Sequence, residues 1–285
     1  MTRAHFAQET GHDDPTLDPA TEQPTRFRYL GTLEVWHDGR LCEIRGTIQR
    51  TLLAALLAAG SRPVSTQALV GELWADNPPA TAENSLQAHV SRLRRKLHGS
   101  GDGRSTCLLS LPSGYQLLVA DTDVDATTFA RAVTEARQRE GSDPDEAVRR
   151  LRSALTLWRG PVFGGQIGGP LCQAAAARYE ASRTMAVELL FDLELRRGRH
   201  SEMIPELSEL VESPSLNERV CEQLMVALYR SGRQIEALDV FRRMRVRLDR
   251  DLGVEPSPTL RKYEQAILTH HALLRYGEDH AGLRD

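Results

Sequence analysis

The sequence predicts a mainly α protein in two parts: three helices bracketed by short antiparallel strands, then an all-α run of helix pairs. Two observations carry this. Apolar residues alternate between period-2 and helical spacing up to about residue 120, and beyond Asp121 the helical spacing alone continues. Two related segments, "RRGRHSEMIPELSEL" and "RSGRQIEALDVFRRM", also place Gly198 and Gly232 34 residues apart, with Arg199 and Arg233 in step.

In chain order, residues 1–25 read as a tail. They hold few large apolar residues, three prolines, and one Arg against the acids Glu9, Asp13, Asp14, Asp18 and Glu22. "FRYLGTLEVWHDGRLCEIRG" then alternates through Leu33, Val35 and Leu41 and breaks at Asp38-Gly39, which predicts short antiparallel strands. "TIQRTLLAALLAAG" puts Ile48, Leu52, Leu53, Leu56 and Leu57 on one helical face and stops at Gly60. Ser65 caps a short helix whose Leu69, Val70, Leu73 and Trp74 face inward. "ADNPPAT" is a loop, because paired prolines block a helix there. A third helix runs from about Thr81 to His98 and ends at Gly99 to Gly103. "TCLLSLPSGYQLLV" closes the unit as a hairpin around Pro112-Ser113-Gly114. Three helices with a terminal hairpin follow the winged helix-turn-helix plan, an order that owes nothing to charge. The following helices resemble one another, "DEAVRRLRSALTLWRG" matching "IEALDVFRRMRVRL" in its Glu-Ala start, and the 34-residue period is tetratricopeptide-like. Such pairs bury their apolar stripes against their neighbours.

The bulk numbers suit this plan. The chain has 285 residues, enough for about two domains. Its 40% hydrophobic and 26% charged fractions are those of a globular protein. A net charge of −3 excludes a uniformly basic nucleic-acid coat but leaves room for a basic face. No run approaches the ~20 apolar residues of a membrane span, and no signal pattern opens the chain, so a cytoplasmic protein is expected. Cys42, Cys107, Cys172 and Cys221 lie far apart and read as buried free thiols, with no metal site.

The third helix carries the functional signal. Leu86, Val90, Leu93 and Leu97 form a core stripe. Opposite lie Asn84, Gln87, Ala88, Ser91, Arg92, Arg94 and Arg95, and no acid occurs from Ser85 to Leu97. A merely solvated face mixes signs, and in a helix-turn-helix the corresponding helix enters the major groove of double-stranded DNA. Arg pairs with guanine and Gln with adenine through two hydrogen bonds each, so Gln87 and Arg92 are the candidates for base edges. Asn84, Ser85, His89, Ser91, Arg94 and Arg95 are candidates for phosphates. The second basic run, "FRRMRVRLDRDLG", is interrupted by Asp249 and Asp251 and reads as a solvated face over a Phe241, Met244, Leu248 core. "GPVFGGQIGGP" lacks the Gly-Lys-Ser/Thr ending of a phosphate loop and reads as a tight loop between helices. No catalytic motif and no cofactor site is found. A rival reading is a tetratricopeptide adaptor that binds a peptide or small effector and uses the winged helix for protein contacts.

"HVSRLRRKL" followed by "LPSGYQL" resembles the DNA-binding domain of the OmpR and PhoB response regulators. "LTLWRGPVFGG" and "LDRDLGVEPSPTLRKYEQAIL" resemble the bacterial transcriptional activation domain. Joined in this order they resemble the Streptomyces antibiotic regulatory proteins of the AfsR and DnrI type. The resemblance implies a DNA-binding domain at 26–120, an activation domain at 123–275, and tails at 1–25 and 276–285. It implies an activator of secondary-metabolite genes that self-associates on direct repeats and engages RNA polymerase holoenzyme, including its sigma factor. In such domains the positions of Gln87 and Arg92 face bases, while those of His89, Ser91, Arg94 and Tyr115 touch phosphate. The loop Ala75, Asp76, Asn77, Pro78, Pro79, Ala80 and Thr81 occupies the polymerase-contact position. Two departures stand out: Leu111 replaces a wing Arg found in some relatives, and Ser91 replaces an Arg. The segment before residue 26 leaves no room for a receiver domain, so phosphorylation control of that kind is not expected. Removing residues 123–285 is expected to leave weak DNA binding without activation.

Overall fold

The structure is a computed structural model that describes residues 25–98, 106–165, 168–271 and 274. The expected tails before Thr25 and after residue 275, the Gly99 to Gly103 helix stop and the Cys107 side chain lie outside the described residues.

The first sheet is antiparallel, in the order β1 (Arg26–Arg28), β2 (Glu34–His37) and β3 (Arg40–Cys42). Asp38 and Gly39 both take positive φ, 47° and 72°, which makes the tight two-residue turn between β2 and β3. Leu33 and Val35 are buried, but Leu41 is 57% exposed, against expectation. The register explains it: Leu41 pairs with Trp36 while Cys42 pairs with Val35, so Leu41 lies on the outer side of an edge strand.

Helix α1 (Thr47–Ala58) departs further from the one-faced expectation. Every residue from Thr51 to Ala59 is buried, because strand β6, the next two helices and a later helix enclose it. Two residues, Val64–Ser65, form β4, a strand too short for periodicity to reveal. Helix α2 (Thr66–Trp74) starts where Ser65 Oγ accepts the Ala68 N–H. Leu69 is buried as expected, whereas Val70, Leu73 and Trp74 are half-buried and Glu72 is buried instead. Helix α3 is Ala82–His98. The hairpin of β5 (Thr106–Leu111) and β6 (Gly114–Val119) completes a second sheet in the order β4-β6-β5. A Cβ at Gly114 would lie 2.0 Å from the Val64 carbonyl oxygen, so only glycine admits β4 beside the turn.

Among the described residues seven α-helices follow: α4 (Asp125–Arg139), α5 (Pro144–Leu155), α6 (Pro170–Arg196), α7 (His200–Glu212), α8 (Glu218–Arg230), α9 (Gln234–Leu252) and α10 (Pro258–Leu268). Gly198 and Gly232 take φ of 75° and 76° in the α6–α7 and α8–α9 turns, the structural form of the 34-residue repeat. Ala147 and Ala237, the small residues of the two Glu-Ala starts, are both fully buried at the helix crossings. Asn217 and Ser257 cap α8 and α10, and Pro258 fills the first turn of α10, where no amide donor is needed.

Apolar packing does not break at residue 120. One core runs from Phe27 through α1, α3, α4 and α5 to Leu193 of α6; a second joins Phe191 and Leu195 of α6 to α7–α10. Two buried carboxylates fasten the first junction, one from each side. Asp125 of α4 accepts the backbone N–H of Tyr29 at 2.9 Å and of Leu30 at 3.1 Å. Arg159 donates to the same carboxylate at 3.3 Å and reaches Glu34 at 2.7 Å. Burial raises the Asp125 pKa, and the backbone donors oppose that rise. In the other direction, Glu72 of α2 accepts the Gly169 N–H at 2.7 Å and the Leu171 N–H, capping α6, whose own N-cap residue, Gly169, has no side chain to do so. The loop before α6 adds backbone bonds, Arg159 N–H to Leu30 and Phe163 N–H to Tyr29, and the Phe163 ring stacks on Tyr29 at 4.8 Å. This loop does connect helices, as expected, and its further role is to dock one part of the chain on the other.

Asp125→Ala leaves the Tyr29 and Leu30 amides buried without an acceptor and is expected to destabilise the chain by about 3 kcal/mol, read from chemical denaturation. A fragment ending at residue 120 loses the Asp125 acceptor and the part of its core that α4, α5 and α6 supply. It is therefore expected to melt at a lower temperature than the full chain, in keeping with the weak DNA binding expected of such a fragment.

Candidate nucleic-acid interface

Helix α3 is seated by the stripe read from the sequence: Leu86, Val90, Leu93 and Leu97 are all under 5% exposed. Its 17 residues span about 25 Å. On the outer side Asn84, Gln87, Ala88, Ser91, Arg92 and Arg95 are exposed together, with Ser85 half-buried beside them. Gln87, Ser91, Arg92 and Arg95 thus share one solvent-facing arc without a carboxylate from Ser85 to Leu97. Glu83 stands in the first turn, where it complements the helix dipole.

Three residues read as phosphate-facing have partners or burial within the protein. Arg94 donates twice to the Leu108 carbonyl, at 3.0 and 2.7 Å, and once to Ser110 Oγ at 3.1 Å, tying α3 to strand β5. Tyr115 is 9% exposed on β6, opposite Ser110 and Val64. His89 is half-buried beside Trp74, its ring centroid 6.5 Å away.

His89 has a partner that sequence reading missed. Gln49, buried on α1, points its amide nitrogen at both the His89 carbonyl oxygen (3.1 Å) and His89 Nδ1 (2.9 Å). The carbonyl can only accept, which fixes the amide orientation and makes Nδ1 an acceptor too. The ring proton therefore sits on Nε2. Burial, and then the nearby Arg92 charge, lower the His89 pKa, so the ring is neutral at physiological pH. The signal available in the sequence was a glutamine adjoining the apolar stripe of α1, which does not name its partner. Lys96 also bonds within the protein, its Nζ donating to the Glu43 carbonyl at 3.3 Å at the surface.

The loop at 75–81 is exposed at every residue. It leaves α2 through Ala75, whose φ is 49°, and enters α3 as the Ala82 N–H bonds to Pro79 O. The second basic run behaves as the sequence suggested. Phe241, Met244 and Leu248 are buried, while Arg242, Arg243, Arg245 and Arg250 each pair with an acid on the surface. Among the described residues no cluster of side chains could hold a metal ion, and no helix is long and apolar enough to cross a membrane.

Residues 45–117 match the family described as transcriptional regulatory protein, C terminal, and residues 124–268 match the bacterial transcriptional activator domain. The chain belongs to the AfsR/DnrI-type bacterial transcriptional activators. This activator is 37% identical over 270 residues to the transcriptional regulator RedD of Streptomyces coelicolor, a match spanning 90% of this chain and 77% of RedD. It is 36% identical over 251 residues to the regulatory protein AfsR of Streptomyces griseus, which covers 88% of this chain but 25% of the longer AfsR. Its backbone is similar to that of Mycobacterium tuberculosis EmbR, solved in complex with a low-affinity phosphopeptide: the TM-score is 0.81 at 32% identity, over 87% of this chain and 66% of that one. The activator is thus a DNA-binding transcriptional regulator, with α3 the helix that its winged helix-turn-helix presents, and the relatives named are regulators of transcription.

Two outcomes follow for the site. Arg92→Ala is expected to cost about 1–3 kcal/mol of specific binding and to relax preference at one base pair, while Arg94→Ala lowers thermal stability as well as affinity for all sequences; footprinting and melting separate the two. For His89 the folded pKa lies below the unfolded value. Its contribution to stability is therefore full above the ordinary histidine pKa and is lost as pH falls through the depressed one. An NMR titration of His89 in wild type and in Gln49→Leu checks this: the wild-type ring should hold the Nε2-protonated form and the variant should lose that preference.

Proposed function

We propose that this protein activates transcription of a secondary-metabolite gene cluster from promoters carrying direct repeats. Copies lie side by side about one helical turn apart, each with α3 in a major groove, Gln87 and Arg92 at base edges, and Asn84, Ser85, Ser91 and Arg95 toward phosphates. The observation that carries this reading is the exposed, carboxylate-free arc of α3 on a helix held firmly from behind. His89 and Arg94 have a different part in it: they position α3 and the wing. Direct repeats need a head-to-tail contact between copies, and residues 123–275 are the proposed source. The loop at 75–81 is the proposed contact for RNA polymerase holoenzyme and its sigma factor. In support, Asp76 and Asn77 adjoin an apolar hollow of about 1,030 Å³ shared with Trp74, Pro170 and Leu171, so loop and helical part offer one continuous surface. The 26–120 and 123–275 segments then divide DNA reading from activation, within a cytoplasmic protein.

Measured on a duplex carrying the repeats, affinity is expected to fall by orders of magnitude between roughly 50 and 200 mM salt, since each neutralised phosphate releases counterions. Duplex binding that is absent at every salt concentration would favour the adaptor reading. Alanine substitutions across Asp76 to Thr81 are expected to leave the footprint in place while lowering transcription in a reconstituted polymerase assay.

A further inference from the structure

A cavity of about 360 Å³ lies where the end of α1, strand β6 and helix α6 fail to close on one another. It is not part of the α3 surface. Its size falls within the ~300–1,000 Å³ range of small-molecule sites, which favour seams between domains. The hollow is built in. Helix α1 stops at Ala58, Gly60 (φ 62°) turns the chain away, and the Asp125 and Glu72 bonds fix how closely the two parts of the chain approach.

The groups that face it have a consistent chemistry. Tyr29, 2% exposed, donates its hydroxyl proton to Tyr179 Oη at 3.3 Å. Burial pushes Tyr29 well above the ordinary tyrosine value, so it remains a donor and the Tyr179 proton is left to point elsewhere. No acceptor for that proton is found among the described residues. Arg178 lies over the Tyr179 ring, 4.9 Å from its centroid, and has no hydrogen-bond or ion-pair partner among the described residues. Arg62 commits only Nε, to the Ala59 carbonyl at 3.0 Å. Asp121 is the single carboxylate in the lining, so two guanidiniums outweigh it, and Leu56, Leu57, Leu117 and Val119 add apolar side chains to a wall that is otherwise largely polar.

We propose that this seam cavity binds a small monoanion with an apolar body of one or two rings, of the aromatic carboxylate class. The carboxylate takes its hydrogen bonds from Arg178, Arg62 and the Tyr179 hydroxyl, and the ring packs on the leucines. Such a ligand touches both parts of the chain at once. It also contacts α1, whose other end carries Gln49 and so holds His89 of the reading helix. Binding to the folded chain alone stabilises it by mass action.

The test is calorimetric titration and thermal melting of the full chain with naphthoate, and with naphthamide as a neutral counterpart of the same shape. Saturable one-to-one binding of naphthoate with a rise in melting temperature is expected. Arg178→Gln should weaken it at least tenfold, Tyr179→Phe several-fold, and naphthamide should bind at least tenfold more weakly. Arg178 is exposed, so Arg178→Gln is expected to melt as wild type does without ligand. No saturable naphthoate binding overturns the proposal, as does binding that survives Arg178→Gln or that naphthamide matches. The titration contains no DNA, so its outcome stands apart from the assignment of α3.

Discussion

Two carboxylates are exchanged across the seam of this protein, and the rest of the structure depends on them. Asp125 reaches from the helical part to the amides after β1, and Glu72 reaches from the DNA-binding part to the first turn of α6. A carboxylate is the one side chain that accepts from two neighbouring backbone N–H groups at once without donating in return. Burial makes each of these ions expensive on its own, and only paired donors in fixed places offset that expense. The two parts of the chain therefore hold one mutual orientation, and a flexible linker between them is not how this molecule is organised.

The same economy governs the reading helix. Its four apolar residues set depth, Gln49 holds it from α1 through His89, and Arg94 holds it from the wing through Leu108. Each of these is a polar side chain used inward, with its partner on another element. What remains outward is short: a glutamine, a serine and two arginines, among small or amide neighbours. In the proposed reading, specificity rests on so few groups because their scaffold has little freedom to let them stray.

Much of this was legible in the sequence, and the rest was not for a physical reason. Strand β2, the capped helix α2, the seat of α3 and the glycines at 198 and 232 each leave a local mark: alternation, a cap, a stripe, a positive φ. The residues that fasten the molecule leave none. Glu72 meets Gly169 across 97 positions and Asp125 meets Tyr29 across 96, and no periodicity spans such gaps. Arg94 is a further case: a helical wheel places it on the arc, and only tertiary structure shows its guanidinium bonded to β5. Leu41 shows the converse: alternation marks a face correctly, yet only strand order says which face is outside.

Helix α6 is the shaft on which both cores turn, since Phe191 and Leu193 belong to different ones only two residues apart. Its 27 residues advance 100° and about 1.5 Å each. The bearing of α7–α10 relative to α3 is therefore set in whole steps. One residue more or fewer within α6 would swing the distal helices a quarter-turn around the DNA-facing part, with no intermediate settings. In the side-by-side arrangement on DNA that we propose, that integer is an angular specification.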